Sequence, residues 1–474
     1  MVVIVVAVLA LPFVVGASRR RAASLPVALD MRRSFAVTDH AILDGFSFER
    51  VMNSLVERSG VPGMTATRLY QQWLDTQNPK PGLVAADAPH CDDFLIDGKP
   101  SFNGFPRHCP TREGAFATAK PFVPRQFIPL AIINRFDMTA TDGSNCGQYR
   151  LIYARQSRGE GFSIPELLSN DTLHFIFEAV LPNPKPENGM AACRPVAQFW
   201  AELSAVGSIA ERRARLEEFF FVGLPGFAPV VQPEHYSKAT GGGIRSFHWT
   251  ATAGGNPQFY QFRLEKTCDA AGCRLLMEPD VLQNTPLGKL FDAGSDTPEG
   301  RRFRDNFIEQ VKTLAIEDVN RFFMDLPREF LVAESDPLGG LPNYIFHLPY
   351  FSGLITFEGQ EFERRISAEL KRIGSKFKPL EIIQRASSQT CFGCHVTAAG
   401  ALPFPQPFNL FQHVNERAQE QGESGLRYSI SPAMRDVFIP HRMEILRKFL
   451  AAGTLPVRSN AVGDATIGGG RAVQ

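Results

Sequence analysis

The sequence predicts an α+β protein: a mixed N-terminal region, in which a sheet carries packed helices and disulfide-stapled loops, followed by a small all-α C-terminal unit. Three observations lead there. Apolar residues recur at helical spacing toward both ends of the chain. Apolar and alternating runs cluster in its middle. Turn residues separate the two kinds of segment. A sheet with helices packed on it is the simplest architecture for that order. At 474 residues the chain exceeds one typical domain, and the pattern divides it into 1–23, 24–375, 376–455 and 456–474.

In chain order, Val2 to Val15 is almost unbroken apolar sequence, too short for a comfortable membrane span, and Val15-Gly16-Ala17 offers a cleavage point. A signal peptide over 1–23 is the expectation, with membrane association arising only through this segment if it is not cleaved. The basic cluster Arg19-Arg20-Arg21 follows the apolar run instead of preceding it. If the segment were retained, that order would place the body of the protein in the cytoplasm.

Phe46, Phe48, Val51, Met52 and Leu55 predict one helix, and Leu69, Trp73 and Leu74 a second over 67–75, ended by Pro79, Pro81 and Gly82. The stretch 85–123 reads as loop. Strands are predicted at 127–133, 148–154, 173–181 and 243–250, and a hairpin with arms 259–265 and 274–278 around Asp269-Ala270-Ala271-Gly272. Helices are predicted at 196–220, 305–324, 362–373 and 379–388, with a final one from about Pro440 to Gly453.

The chain holds eight cysteines, and one pair stands in the run Thr390-Cys391-Phe392-Gly393-Cys394-His395. Cys-x-x-Cys-His is the pattern that attaches a c-type haem: two thiols on a tight turn can each form a thioether to the porphyrin, and the adjacent imidazole can reach the iron. Half of a zinc site and a thioredoxin-like redox pair are the competing readings. The first lacks a second Cys/His pair at finger spacing, and the second lacks a βαβ context. The six other cysteines are an even set that suits disulfides in an oxidising compartment. Proximity suggests Cys91 with Cys109, Cys146 with Cys193, and Cys268 with Cys273, the last across the predicted hairpin.

Residues 376 to 453 resemble a class I cytochrome c domain: a helix enters the attachment motif, a Pro-rich loop follows, and a terminal helix closes the unit. That resemblance implies one covalently attached haem c, held by Cys391, Cys394 and His395, with Met434 as the second axial ligand because it sits before the final helix. His413 is the next candidate; His441 and Met443 face the core or solvent of the last helix. The resemblance also implies a location outside the cytoplasmic membrane, periplasmic or secreted, and a redox partner protein.

A net charge of +1 removes the case for nucleic acid. The 39 phenylalanines read first as core, and second as the wall of a haem or lipid-like pocket. Two further clusters and one histidine are candidates. Asp137, Asp142 and Asn145 match no cation-loop spacing. Arg135, Asp137, Tyr149, Arg150 and Glu178 form a possible polar site at strand ends, where solvated charges are the plainer reading. His248 is a possible base beside the haem. An electron carrier with a large domain for a partner or substrate is the preferred function. A peroxidase- or oxygenase-type haem enzyme with an open iron is the alternative, and a binding protein with structural or sensory haem a third. No feature identifies a substrate.

Overall fold

The computed structural model describes residues 28–122, 126–155, 172–249, 258–270, 272–335, 347–391 and 414–455. The segments 1–23 and 456–474, together with Cys394, His395 and His413, lie outside them.

An antiparallel sheet of eight strands organises the fold. Its strands are β1 (Ala36–Val37), β2 (Phe127–Arg135), β3 (Asn145–Arg155), β4 (Thr172–Pro182), β5 (Gly243–Trp249), β6 (Gln258–Asp269) and β7 (Gly272–Asp280), paired in that order, with β8 (Glu334–Ser335) also on β6. The four middle strands and the hairpin stand where the alternation predicts them.

Alternation along each strand sends successive side chains to opposite faces. On one face, Tyr153, Phe175, Phe177 and Phe262 are buried. After a short first helix, α1 (Met31–Ser34), two helices cover them: α2 (Phe48–Ser59), whose Phe48 stacks on Phe175 at 5.6 Å, and α3 (Ala66–Asp75), whose Trp73 ring lies 4.3 Å from Phe175. Both helices carry side-chain N-caps, Ser47 and Thr65, each accepting from a backbone N–H of the first turn. Most of the phenylalanines described here do what the plainer reading asks and fill this core.

The predicted helix 196–220 is two helices, α4 (Arg194–Leu203) and α5 (Ile209–Phe221). Gly207 lies in the break, and Ser208 caps the second helix through Glu211 N–H. The helix predicted at 305–324 begins earlier and stops sooner, as α6 (Pro298–Leu314), because Thr297 caps it and Pro298 occupies its first turn. Further along come α7 (Phe357–Arg372) and α8 (Pro379–Ser387).

All three suggested disulfides are present: Cys91–Cys109, Cys146–Cys193 and Cys268–Cys273, the last pair directly opposite in the hairpin register. They fit an oxidising compartment. Among the described residues no helix is long and apolar enough to cross a membrane.

The expected all-α unit at 376–455 is corrected. Its described part includes a hairpin, β9 (Val414–Gly422) with β10 (Gly425–Ile430). The strand residues are mainly polar, so no apolar period announces them. Contacts to the start of the described chain hold the hairpin: Thr38 Oγ1 donates to the Tyr428 carbonyl at 2.7 Å, and Arg32 Nη2 to the same oxygen at 2.8 Å. The terminal helix α9 (Ile439–Ala452) ends at Gly453 in the left-handed region as predicted. It packs mainly on α4 and on the turn Phe136–Met138, whereas α8 packs on α6 and α7. The two helices therefore do not close on each other as a cytochrome c unit would require, and Phe35, Ile383, Met434 and Phe449 share one apolar cluster.

Candidate functional site

The outer face of the sheet, opposite α2 and α3, carries a row of charge. Arg135 on β2 stands opposite Gln148 on β3, Arg150 opposite Glu178 on β4, Arg245 on β5 opposite Gln261 on β6, and Gln261 opposite Asp280 on β7. An antiparallel sheet with one solvated face would leave these side chains in water. Here Arg135, Gln148, Glu178, Arg245, Gln261, Arg263 and Asp280 are all buried.

Burial forces pairing. Arg135 grips Asp137 with two nitrogens, at 3.0 and 2.9 Å. Glu178 is shared between Arg150, at 3.1 Å, and Arg245. Arg263 meets Asp280 at 2.6 Å, with Arg328 on its second oxygen at 2.5 Å. Burial works to raise the Glu178 carboxyl, but Arg150 and Arg245 outweigh it and hold the group below its usual range. Arg263 and Arg328 do the same for Asp280. Gly243 makes room for the row, since a β-carbon there would collide with the side chains of Gln261 and Arg263.

The row ends on the thiol of Cys391. Arg245 Nη1 lies 3.4 Å from Cys391 Sγ. Cys391 is buried, outside any disulfide, and packed with Phe259 and Leu282, against which Phe247 also rests. The Phe247 and Phe259 rings stack at 4.4 Å, and His174 stacks on Phe247 at 5.7 Å. Helix α8 delivers Cys391 to this place. Pro379 starts it, and the Glu381 carboxylate accepts from Lys378 N–H at 2.6 Å. Arg385 pins it to the end of α6, donating to the Leu314 carbonyl at 2.5 Å while lying over the Phe322 ring at 3.9 Å. After the helix, Ser388 and Thr390 return their hydroxyls to the carbonyls of Arg385 and Ser387, at 2.7 and 2.8 Å, while the amide nitrogen of the buried Gln389 between them has no partner among the described residues.

Stacked aromatic rings and Leu282 thus wall Cys391 on one side, and the Arg245 guanidinium places a positive charge on the other. Among the described residues no group of three or more metal-ligating side chains gathers.

The structure does not bring every predicted residue to Cys391. Met434 is buried in the main core, in a different apolar cluster from Cys391. It opens the π-helical turn Met434–Phe438 that runs into α9, and it follows the strand β10, within what was expected to be an all-α unit. His441 is half-buried on α9; burial lowers its pKa, against the pull of Asp318 and Asp137. Met443 packs at the edge of the core. His248 points to the opposite face from Arg245 and Phe247, toward Phe116, so it is no base beside Cys391. Tyr149 also leaves the polar group, stacking on Trp200 and donating to the Cys146 carbonyl at 2.8 Å. Asp137 is committed to Arg135, Asp142 accepts from Ser144 N–H and Asn145 from Ala140 N–H, so the three do not form a cation site.

Sequence reasoning missed Arg245, Arg263, Asp280 and Arg442. The alternation Arg245-x-Phe247, beside Phe259-x-Gln261-x-Arg263, was the available signal: a strand face mixing arginine with phenylalanine is poorly suited to water. Comparison with known families, with curated proteins and with solved structures finds no match to this chain.

Proposed function

We propose that this protein is an exported monohaem c-type cytochrome that carries electrons, with haem joined to Cys391 and Cys394 and His395 as proximal ligand; Met434, the distal ligand in this reading, would have to leave the main core to reach the iron. The observation that supports it most is the state of Cys391. Six cysteines are paired in disulfides, and Cys391 is left free, buried between aromatic wall and arginine. Haem bound there supplies a one-electron iron couple. The chain's own residues do the rest: Phe247, Phe259 and Leu282 exclude water from the attachment point, Arg245 sets its charge, and α8 fixes its position. A redox partner protein follows from that role. Export is inferred from the apolar start of the sequence together with the disulfides.

The enzyme alternative loses the residue suggested as its base, since His248 faces the other side of the sheet. Protein made in cells competent for c-type maturation tests the proposal. After acid-acetone extraction its intact mass keeps the haem increment, and Cys391→Ala or Cys394→Ala weakens retention. Complete extraction of haem, or none bound, overturns it.

A further inference from the structure

The charged row contains one guanidinium with no carboxylate of its own. Arg442, on the first turns of α9, is 5% exposed and lies within electrostatic reach of Arg135, Asp137 and Arg150. The acids beside it are engaged: Asp137 by Arg135 in two-pronged fashion, Glu178 by Arg150 and Arg245. Arg442 itself makes no hydrogen bond or ion pair to a described residue. Burial, reinforced by Arg135 and Arg150 and opposed by Asp137, presses it toward the neutral form. A guanidinium resists that outcome and keeps its proton. A largely buried charge without a counter-charge is costly, and an anion placed on Arg442 would offset that cost. The planar fork of an arginine, backed by two more, fits the two oxygens of a carboxylate.

We propose that Arg442, with Arg135 and Arg150 behind it, binds the carboxylate of a small organic ligand on the outer face of the sheet. The row connects this place to Cys391 through Glu178 and Arg245. Two strand spacings, about 10 Å, separate β5 from β3, a span that one flat macrocycle covers. The carboxylate therefore comes either from the porphyrin itself, which rests on the reading of Cys391 above, or from a free carboxylic acid.

The full chain, produced in cells with and in cells without c-type maturation, is titrated with succinate at constant ionic strength. Chloride is the control, and the thermal unfolding midpoint is followed. In the haem-free chain the midpoint rises saturably; Arg442→Gln abolishes the rise and Arg442→Lys weakens apparent affinity at least tenfold. Loss of the response on haem attachment identifies the porphyrin carboxylates as occupant, and its survival identifies a free acid. No saturable rise in the haem-free chain, or a rise that both variants leave unchanged, overturns the site. If Arg442→Gln does not fold, Arg442→Lys carries the comparison. If the haem-free chain does not fold, haem-loaded Arg442→Lys is read by the pH dependence of its Soret band. A shift from wild type supports the site, and an unmoved profile sinks it. Failure of haem to attach refutes the reading of Cys391 and leaves the succinate titration standing, so the two ideas fail separately.

Discussion

Arg245 and Cys391 are 146 positions apart in sequence, yet a guanidinium nitrogen of one lies 3.4 Å from the sulfur of the other. The middle of the sheet thus forms one wall of the place where the Cys-x-x-Cys-His motif begins. An attached group at that motif would rest on the large sheet and not within a separate helical unit.

Removing Arg245 therefore does two things. Arg245→Gln leaves Glu178 with Arg150 alone and strips the charge beside the thiol. Breaking a buried pair in this way costs about 3 kcal/mol, read as a lower urea midpoint. Haem retention in the same variant reports whether the guanidinium also matters for attachment. An unchanged midpoint would show that the pairing carries little of the stability.

Among the described residues, Glu113, His235 and His248 carry large shifts near neutral pH, and His441 is lowered in the same direction as the two histidines. Burial pushes the Glu113 carboxyl up from 4.5 to about 7, against hydrogen bonds from Ser246 and Gln77. Between those values the folded chain binds a proton that the unfolded chain has released, so stability falls as pH rises, by about 3 kcal/mol in all. Burial pushes His235 and His248 down from 6.5 to about 4. There the unfolded chain binds the protons, so stability rises with pH across that window. Two histidines outweigh one carboxyl below their ordinary value, and Glu113 acts alone above it, which puts maximum stability near pH ~6.5. Urea unfolding from pH 5 to 8 should show that maximum. Glu113→Gln should replace the decline above it with a plateau, and a decline of the same size in the variant would exclude Glu113 as its source.

Disulfide removal should be graded by loop length. Cys146–Cys193 closes a separation of 47 residues and Cys268–Cys273 one of 5. Chain entropy then assigns about 4 kcal/mol to the first and about 2 kcal/mol to the second. Paired alanine substitutions, compared by urea midpoint, test the order. Equal losses would show that loop entropy is not the governing term.

The ligand trans to His395 is tested through Met434. A thioether there favours ferrous iron and closes the site to added ligands. Met434→Leu keeps the buried volume nearly unchanged, so a cost under about 1.5 kcal/mol is expected in stability. It should also abolish the near-infrared charge-transfer band of methionine-ligated ferric haem and admit imidazole. Persistence of the band in the variant, or its absence from the parent, removes Met434 from the iron.

Much of the sheet could be read from the sequence because its strands alternate and the face toward α2 and α3 is apolar: Phe175, Phe177, Tyr260 and Phe262 announce it. The disulfides could be read from proximity and, for Cys268–Cys273, from the hairpin turn. The charged row could be read only in part: Arg135, Asp137, Arg150 and Glu178 stand out as a possible polar group, but Arg245, Arg263 and Asp280 do not, because their burial depends on elements distant in sequence, Cys391 beside Arg245 among them. The β9–β10 hairpin was hidden for a related reason: its residues are mainly polar, and its conformation is held by Thr38 and Arg32. Helix ends were misplaced where capping chemistry was overlooked, at Ser208 and Thr297.

The clasp between Thr38 and Tyr428 joins positions 390 residues apart. Loop closure over that distance is entropically late and slows folding, whereas β2 to β7 pair strand to next strand and can assemble while synthesis continues. β1 can pair with β2 early, but its outer border must wait for the hairpin to arrive. A chain interrupted before residue 430 would hold a nearly complete sheet whose border lacks its clasp, and a bare strand border recruits other chains. Truncated forms of this protein should therefore aggregate instead of unfolding quietly.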